Sequence, residues 1–285
     1  MTTSDTAGGL PTHDAEAGNE PAATAAELAA LLTDAPPEPP WRPRFGLEVL
    51  LVLGVSLGQS AVYSVLSIAD KLTRAKPLNQ QTTTMNPSYT PDRPWLDLAY
   101  QVCSIVFPLV PALLCLYLLS LTRDRAAIGF DLRRPVNDVT RGLGLAALIG
   151  IPGLGLYLAA RALGWNTNVA AANLAANWWT VPVLVALALT NGVLEEVVML
   201  GYLFNRLRLI GWGPAAYLLT SALLRGSYHL YQGFGGFVGN VVMGVVFGMA
   251  YLRFRRVMPL VIAHALLDVA AFVGYAALAP LVDWL

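Results

Sequence analysis

Charge is what this sequence has least of. Asp, Glu, Lys and Arg make up only 13% of its 285 residues, where an ordinary soluble domain carries roughly 25%. The 18 acidic and 18 basic residues cancel, so no basic surface for nucleic acid is expected, and no nucleic-acid partner. Histidine is nearly absent, with only His13, His229 and His264. The two cysteines, Cys103 and Cys115, lie in one apolar run. That excludes a disulfide-stapled scaffold and suits thiols at helix-packing positions. The N-terminus lacks the basic start and apolar core of a signal peptide. From Ala162 to Leu194 there is no charged residue at all.

Apolar residues fill the space that charge leaves. They form 56% of the chain and mean hydropathy is +0.56, which points to an integral membrane protein. A spanning helix needs about 20 apolar residues. Read between charges, the candidates are 49–69, 98–122 with Pro108 and Pro111 as kinks, 142–160, 178–205, 212–229, 233–252 and 257–281. The expected fold is therefore all-α, a polytopic membrane bundle of about seven transmembrane helices, or eight. Residues 1–40, rich in Ala, Pro, Thr and acidic residues, read as a disordered tail with one short helix over AATAAELAALL. Residues 41–285 form the bundle. The polar stretch 70–94 is expected outside the membrane.

Lys and Arg set the orientation. With a cytoplasmic N-terminus, twelve of them, including Arg206 and the Arg253–Arg256 cluster, fall on the inside and six on the other face. The expectation is a multi-pass protein of the plasma membrane with its N-terminus in the cytoplasm.

Ionisable residues inside a span are costly and mark function by default. Here they fall on three of the last four spans. NGVLEEVVML carries Glu195 and Glu196. Arg225 and His229 are four apart, as are His264 and Asp268, so each pair shares a helix face. The adjacent glutamates point about 100° apart, so one can face a cavity while the other pairs with a neighbouring helix. Three helices can aim Glu195, His229, His264 and Asp268 at one point. A carboxylate there can take a proton from water while imidazoles donate to an oxyanion. Alternatively, imidazoles and carboxylates can hold a divalent metal such as zinc. Asp268 either acts directly or orients His264. Tyr228, Tyr231 and Gln232 either line the cavity or belong to an interface belt. GFGGFVGN reads as helix packing.

An EE pair in one membrane helix, a His in a later one and HALLD in the last resemble the CPBP family of intramembrane proteases. That family is related to type II CAAX prenyl endopeptidases and to bacteriocin-processing or immunity proteins. The resemblance covers about residues 140–275. It implies Glu195 as the water-activating base, His229 and His264 as the motif histidines and Asp268 as the final carboxylate. Two positions depart from the pattern. EExxxR reads EEVVML, with Leu200 at the arginine position, and FxxxH reads RGSYH, with Arg225 at the phenylalanine position. The expectation is that Arg225 replaces the missing arginine as the partner of Glu196, because an unpaired buried carboxylate is expensive. Arg225 snorkelling to a headgroup is the alternative.

The expected activity is hydrolysis of a membrane-associated or lipid-modified peptide, with membrane lipid and a peptide or membrane protein as partners. Two other readings use the same residues: an ion-coupled transporter or proton relay, and a catalytically silent immunity or scaffolding member. Depth raises one conflict. At about 1.5 Å per residue, Glu195 lies roughly 15 Å from Arg206 and His264 roughly 12 Å from Arg256, but His229 lies roughly 25 Å from Trp212. The fifth span must then start late, tilt strongly or break near Gly226.

Overall fold

The computed structural model describes residues 44–278 apart from 123. The expected tail, with its short helix and His13, lies outside the described residues, as does the end of the last span. The first expected span is two helices, α1 (Phe45–Gly54) and α2 (Leu57–Thr73), bent by 51°. The bend has a local cause. A Cβ on Gly58 would come 2.7 Å from the Leu53 carbonyl oxygen, so only glycine allows the two segments to fold this closely. Ser56 Oγ donates to the Val52 carbonyl at 2.6 Å and satisfies an acceptor that the break leaves without a helical partner.

The second span comprises α3 (Pro94–Val106) and α4 (Leu109–Leu121), interrupted at Phe107–Pro108. Pro111 lies in the first turn of α4, where its missing N–H costs nothing, so only Pro108 marks an interruption. The third is α5 (Pro135–Ala162), longer than expected because Pro135 starts it at the favoured first position. The fourth is continuous over Thr180–Leu209. It consists of α6 (Thr180–Glu196), a π turn (Val197–Tyr202) and α7 (Leu203–Leu209). Three helices follow: α8 (Pro214–His229), α9 (Phe234–Phe254) and α10 (Met258–Leu278). GFGGFVGN forms the start of α9, which packs on α8 and α5.

Among the described residues, five helices are long and apolar enough to cross a membrane, or six if the bent α1–α2 pair is one span. The sixteen-residue α8 falls short of that length. The chain is a multi-pass membrane protein. Its exposed Leu50, Leu51, Val62, Leu66, Leu113 and Ile151 suit a lipid surface better than water.

Two arginines counted on the inner face, Arg206 and Arg256, are engaged in ion pairs with other elements of the fold. Arg206 is fully buried. Its Nε donates to Glu48 of α1 at 2.7 Å, its Nη2 to the Leu118 carbonyl of α4 at 2.8 Å and its Nη1 to Thr122 at 3.0 Å. Arg256 is gripped by Asp138 at 2.6 Å and Asp131 at 3.0 Å. A guanidinium has five donors and can satisfy several acceptors at once, which makes burial tolerable.

The polar 70–94 stretch contains one strand, β1 (Thr82–Asn86), paired in parallel with β2 (Asn168–Ala172). This small sheet anchors the turn after α8. Thr167 donates through its backbone and its hydroxyl to the Gln232 carbonyl, both at 2.9 Å. Lys71 Nζ donates to the Tyr231 carbonyl at 2.5 Å and to Thr83 Oγ1 at 2.8 Å. The turn that follows His229 is thereby held from both sides.

Candidate active site

The depth conflict disappears once the helix ends are known. Glu195 lies fourteen residues before the end of α7 at Leu209, and His229 fifteen after the start of α8 at Pro214. At about 1.5 Å per residue, both rise roughly 21–23 Å from the connecting turn. The two helices are an antiparallel hairpin in register. α8 does not break at Gly226; it starts at Pro214, two residues later than expected.

α10 reaches the same level by close approach. A Cβ on Gly192 would lie 2.9 Å from the Val261 carbonyl oxygen and 3.2 Å from the Ala265 nitrogen, so glycine is required where α6 meets α10. That contact brings His264 Nδ1 to 2.6 Å from Glu196 Oε1. A carboxylate only accepts, so Nδ1 carries the hydrogen and Nε2 faces the rest of the site. His264 Nε2 is 3.9 Å from Glu195 Oε2 and 3.9 Å from Asp268 Oδ2.

Arg225 of α8 is 1% exposed, so it does not snorkel. Its Nη2 donates to Glu196 Oε1 at 2.7 Å and its Nη1 to Glu195 Oε2 at 3.3 Å. Leu200 lies in the π turn and is 1% exposed. Where the family pattern has arginine, this chain has a core leucine, and the cation comes from another helix. Such π turns recur at functional sites, and this one begins at the residue after Glu196.

Glu195 Oε2 accepts from the Tyr228 hydroxyl at 2.7 Å and lies 3.8 Å from His229 Nε2. The other ring nitrogen, His229 Nδ1, is 3.3 Å from Gln232 Nε2. If that amide donates, Nδ1 is the acceptor and Nε2 carries the hydrogen. Nε2 is buried without a hydrogen-bond partner among the described residues, a donor aimed at the Glu195 side of the site. The two histidines thus differ. The Nδ1 of His264 is engaged by a carboxylate and that of His229 by an amide.

The structure brings together all six residues singled out in the sequence: Glu195, Glu196, Arg225, His229, His264 and Asp268. It adds two more. Asn191 Nδ2 donates to Asp268 Oδ2 at 2.9 Å, and its sequence signal was its place one turn before Glu195. Tyr228, weighed in the sequence as lining the cavity or belonging to an interface belt, is in contact with the carboxylate. It also borders an open cleft of about 520 Å³ whose other wall is the Gln59–Ser67 face of α2. The signal for that wall was Gln, Ser and Tyr recurring at helical spacing inside an apolar span.

Glu195, Glu196 and His264 offer ligand atoms within 4.8 Å of one another. Glu196 Oε2 is buried without a hydrogen-bond partner among the described residues, and carboxylate with imidazole is a donor set that divalent zinc accepts. These residues fit a metal ion. His229 is outside that group.

Residues 177–270, roughly a third of the chain, match the family model for type II CAAX prenyl endopeptidase Rce1-like proteins. Neither curated proteins nor solved structures gave a match. The matched segment begins just before α6 and ends within α10, so it contains every residue of the charged cluster. The cluster and the match together support assignment of this segment to the CPBP, CAAX protease-like family.

Proposed function

We propose that the chain is an intramembrane peptidase acting on a membrane-associated or lipid-modified peptide, with Glu195 as the base. The observation that carries this reading is the convergence of Glu195 Oε2 with both imidazole Nε2 atoms at 3.8 and 3.9 Å. They meet in a buried site that Tyr228 joins to an open cleft.

In this mechanism Glu195 takes a proton from water as the water oxygen bonds to the carbonyl carbon. The carbonyl π pair moves onto oxygen, and the Nε2–H of His229 donates to the oxyanion that forms. Collapse breaks the C–N bond. The leaving nitrogen receives the proton that Glu195 held, and the free carboxyl group then ionises. Arg225 offsets the charge of the paired carboxylates. Asp268, held by Asn191, orients His264. Where a divalent metal such as zinc is bound, Glu195, Glu196 and His264 would hold it, and it would supply Lewis-acid polarisation.

The same reading takes α8 as a seventh crossing, shortened because one end lies within the bundle. It puts the N-terminus in the cytoplasm and the protein in the plasma membrane. Lipid and peptide are its partners, and nucleic acid is not.

The test is hydrolysis of farnesylated and acylated quenched-fluorescent peptides in proteoliposomes by wild type, Glu195→Gln and His264→Ala, with and without chelator. Cleavage that both substitutions abolish is the expected result. Equal cleavage by all three proteins removes the catalytic assignment. Loss on chelation, reversed by zinc, assigns the metal.

A further inference from the structure

Glu195 is buried in the bundle, and a peptide must reach it by some route. The face of α2 that borders the cleft carries Gln59, Ser60, Tyr63, Ser64 and Ser67. These recur at helical spacing, one above the other on one side. The neighbouring Val62, Val65 and Leu66 are exposed and apolar, as a lipid-facing surface requires. A row of polar side chains on a helix of a membrane bundle needs water or a polar ligand opposite it. Among the described residues, only Ser64 of this row has a side-chain hydrogen bond: its Oγ accepts from the Tyr231 backbone nitrogen at 2.6 Å. That bond ties α2 to the turn after His229. Across the cleft stand Tyr231 and Tyr228, and the Tyr228 hydroxyl reaches Glu195 Oε2 at 2.7 Å.

We propose that this cleft is the docking groove for the substrate's peptide segment, which lies extended along α2 with Tyr228 at the point where it meets Glu195. This rests on the peptidase reading above. The occupant follows from the lining. An extended segment carries unpaired N–H and C=O groups, and in a hydrocarbon surrounding each must find a partner. Ser60, Ser67, Gln59 and Tyr63 supply donors and acceptors along one line. A lipid chain needs none of them.

The test places p-benzoylphenylalanine at Tyr63 or Gln59, with Val62 and Leu66 as lipid-facing controls. The background is full-length Glu195→Gln protein in proteoliposomes, and the probe is a biotinylated farnesyl peptide. Photo-cross-links to the peptide at 59 and 63 but not at 62 or 66 are expected. Cross-links to lipid alone at all four positions, or to peptide equally at all four, overturn the groove. Hydrolysis of the same peptide is read in parallel with Glu195 intact. Cleavage without cross-links at 59 and 63 overturns the groove and leaves the peptidase. Cross-links at those positions without cleavage keep the groove and remove the peptidase. In the active protein, Ser60→Ala should raise KM about fivefold, the worth of one hydrogen bond, with kcat unchanged. An unchanged KM for both Ser60→Ala and Ser67→Ala counts against the groove.

Discussion

Arg225 on α8 donates to Glu196 Oε1 on α6 at 2.7 Å, and the same guanidinium reaches Glu195 Oε2 at 3.3 Å. One buried cation thus serves both members of the glutamate pair. Glu196 Oε1 also accepts from His264 Nδ1, so a single carboxylate oxygen joins α6, α8 and α10.

That arrangement predicts strong coupling between Arg225 and Glu196. Removing one partner leaves the other charged and buried, which costs about 3–5 kcal/mol. Arg225→Met alone should lower the folded fraction and the thermal midpoint in detergent, and the Arg225→Met, Glu196→Gln double variant should recover much of the loss. The neutral pair is a cleaner test than a charge swap, which would set an arginine at position 196 against His264. Strictly additive losses in the double variant would show that the two residues do not act together.

Gly192→Ala addresses the approach of α10 to α6. The added methyl would press on the Val261 carbonyl at 2.9 Å, and overpacking of this kind costs about 1–3 kcal/mol. Activity should suffer more, because His264 rides on the displaced helix and a shift of about 1 Å can cost about 10²-fold. Comparing kcat with the thermal midpoint separates the two. A loss of stability without loss of kcat would mean that the helix contact does not position His264.

Gln232→Leu removes the amide beside His229 Nδ1 while leaving the imidazole in place. If Gln232 selects the tautomer with hydrogen on Nε2, kcat should fall about tenfold, the order seen when a group orienting a functional imidazole is lost. KM should not change, since the peptide is bound elsewhere. Steady-state kinetics in proteoliposomes gives both constants. An unchanged kcat would remove Gln232 from the mechanism.

Acid sensitivity should show at the Arg256 clamp. Its guanidinium, together with the Arg133 backbone N–H, holds the Asp131 carboxyl below the usual carboxylate range. A depressed folded-state pKa gives stability that is fully present above the ordinary aspartate value of about 3.9. That stability is lost as pH falls through the lower folded-state value. Thermal midpoints of wild type and Asp131→Asn should therefore differ near neutrality and converge in strong acid. A constant difference down to pH 2 would exclude this linkage.

The residues of the site were legible in the sequence because the surrounding runs are so apolar. Glu195, His229, His264 and Asp268 stand out where every charge is expensive, and the four-residue spacings already define their helix faces. Partners were less legible. Leu200 signalled that a cation was missing, but Arg206 and Arg256 entered only the count of inner-face charges, since a basic residue at a span end usually lies at the membrane surface. Their acceptors, Glu48 and Asp138, lie more than a hundred positions away. The strand pair was hidden for the same reason: β1, a polar threonine run, and β2, an alanine-rich one, are five residues each and make a sheet only when brought side by side. The depth conflict came from measuring to Arg206, a residue inside α7, when the helix continues to Leu209, and to Trp212, when α8 starts at Pro214.

By itself the sequence determined that this chain belongs in a membrane and which few side chains are costly enough there to require a purpose. Both follow from local composition and from the fixed rise and period of a helix. Only the tertiary structure decided which of those side chains meet, that Arg225 serves both glutamates, that the two histidines turn Nε2 toward Glu195 with different partners on Nδ1, and that the polar face of α2 borders the same cleft as Tyr228. Those are contacts between helices, and their register depends on where each helix ends, bends or packs on glycine.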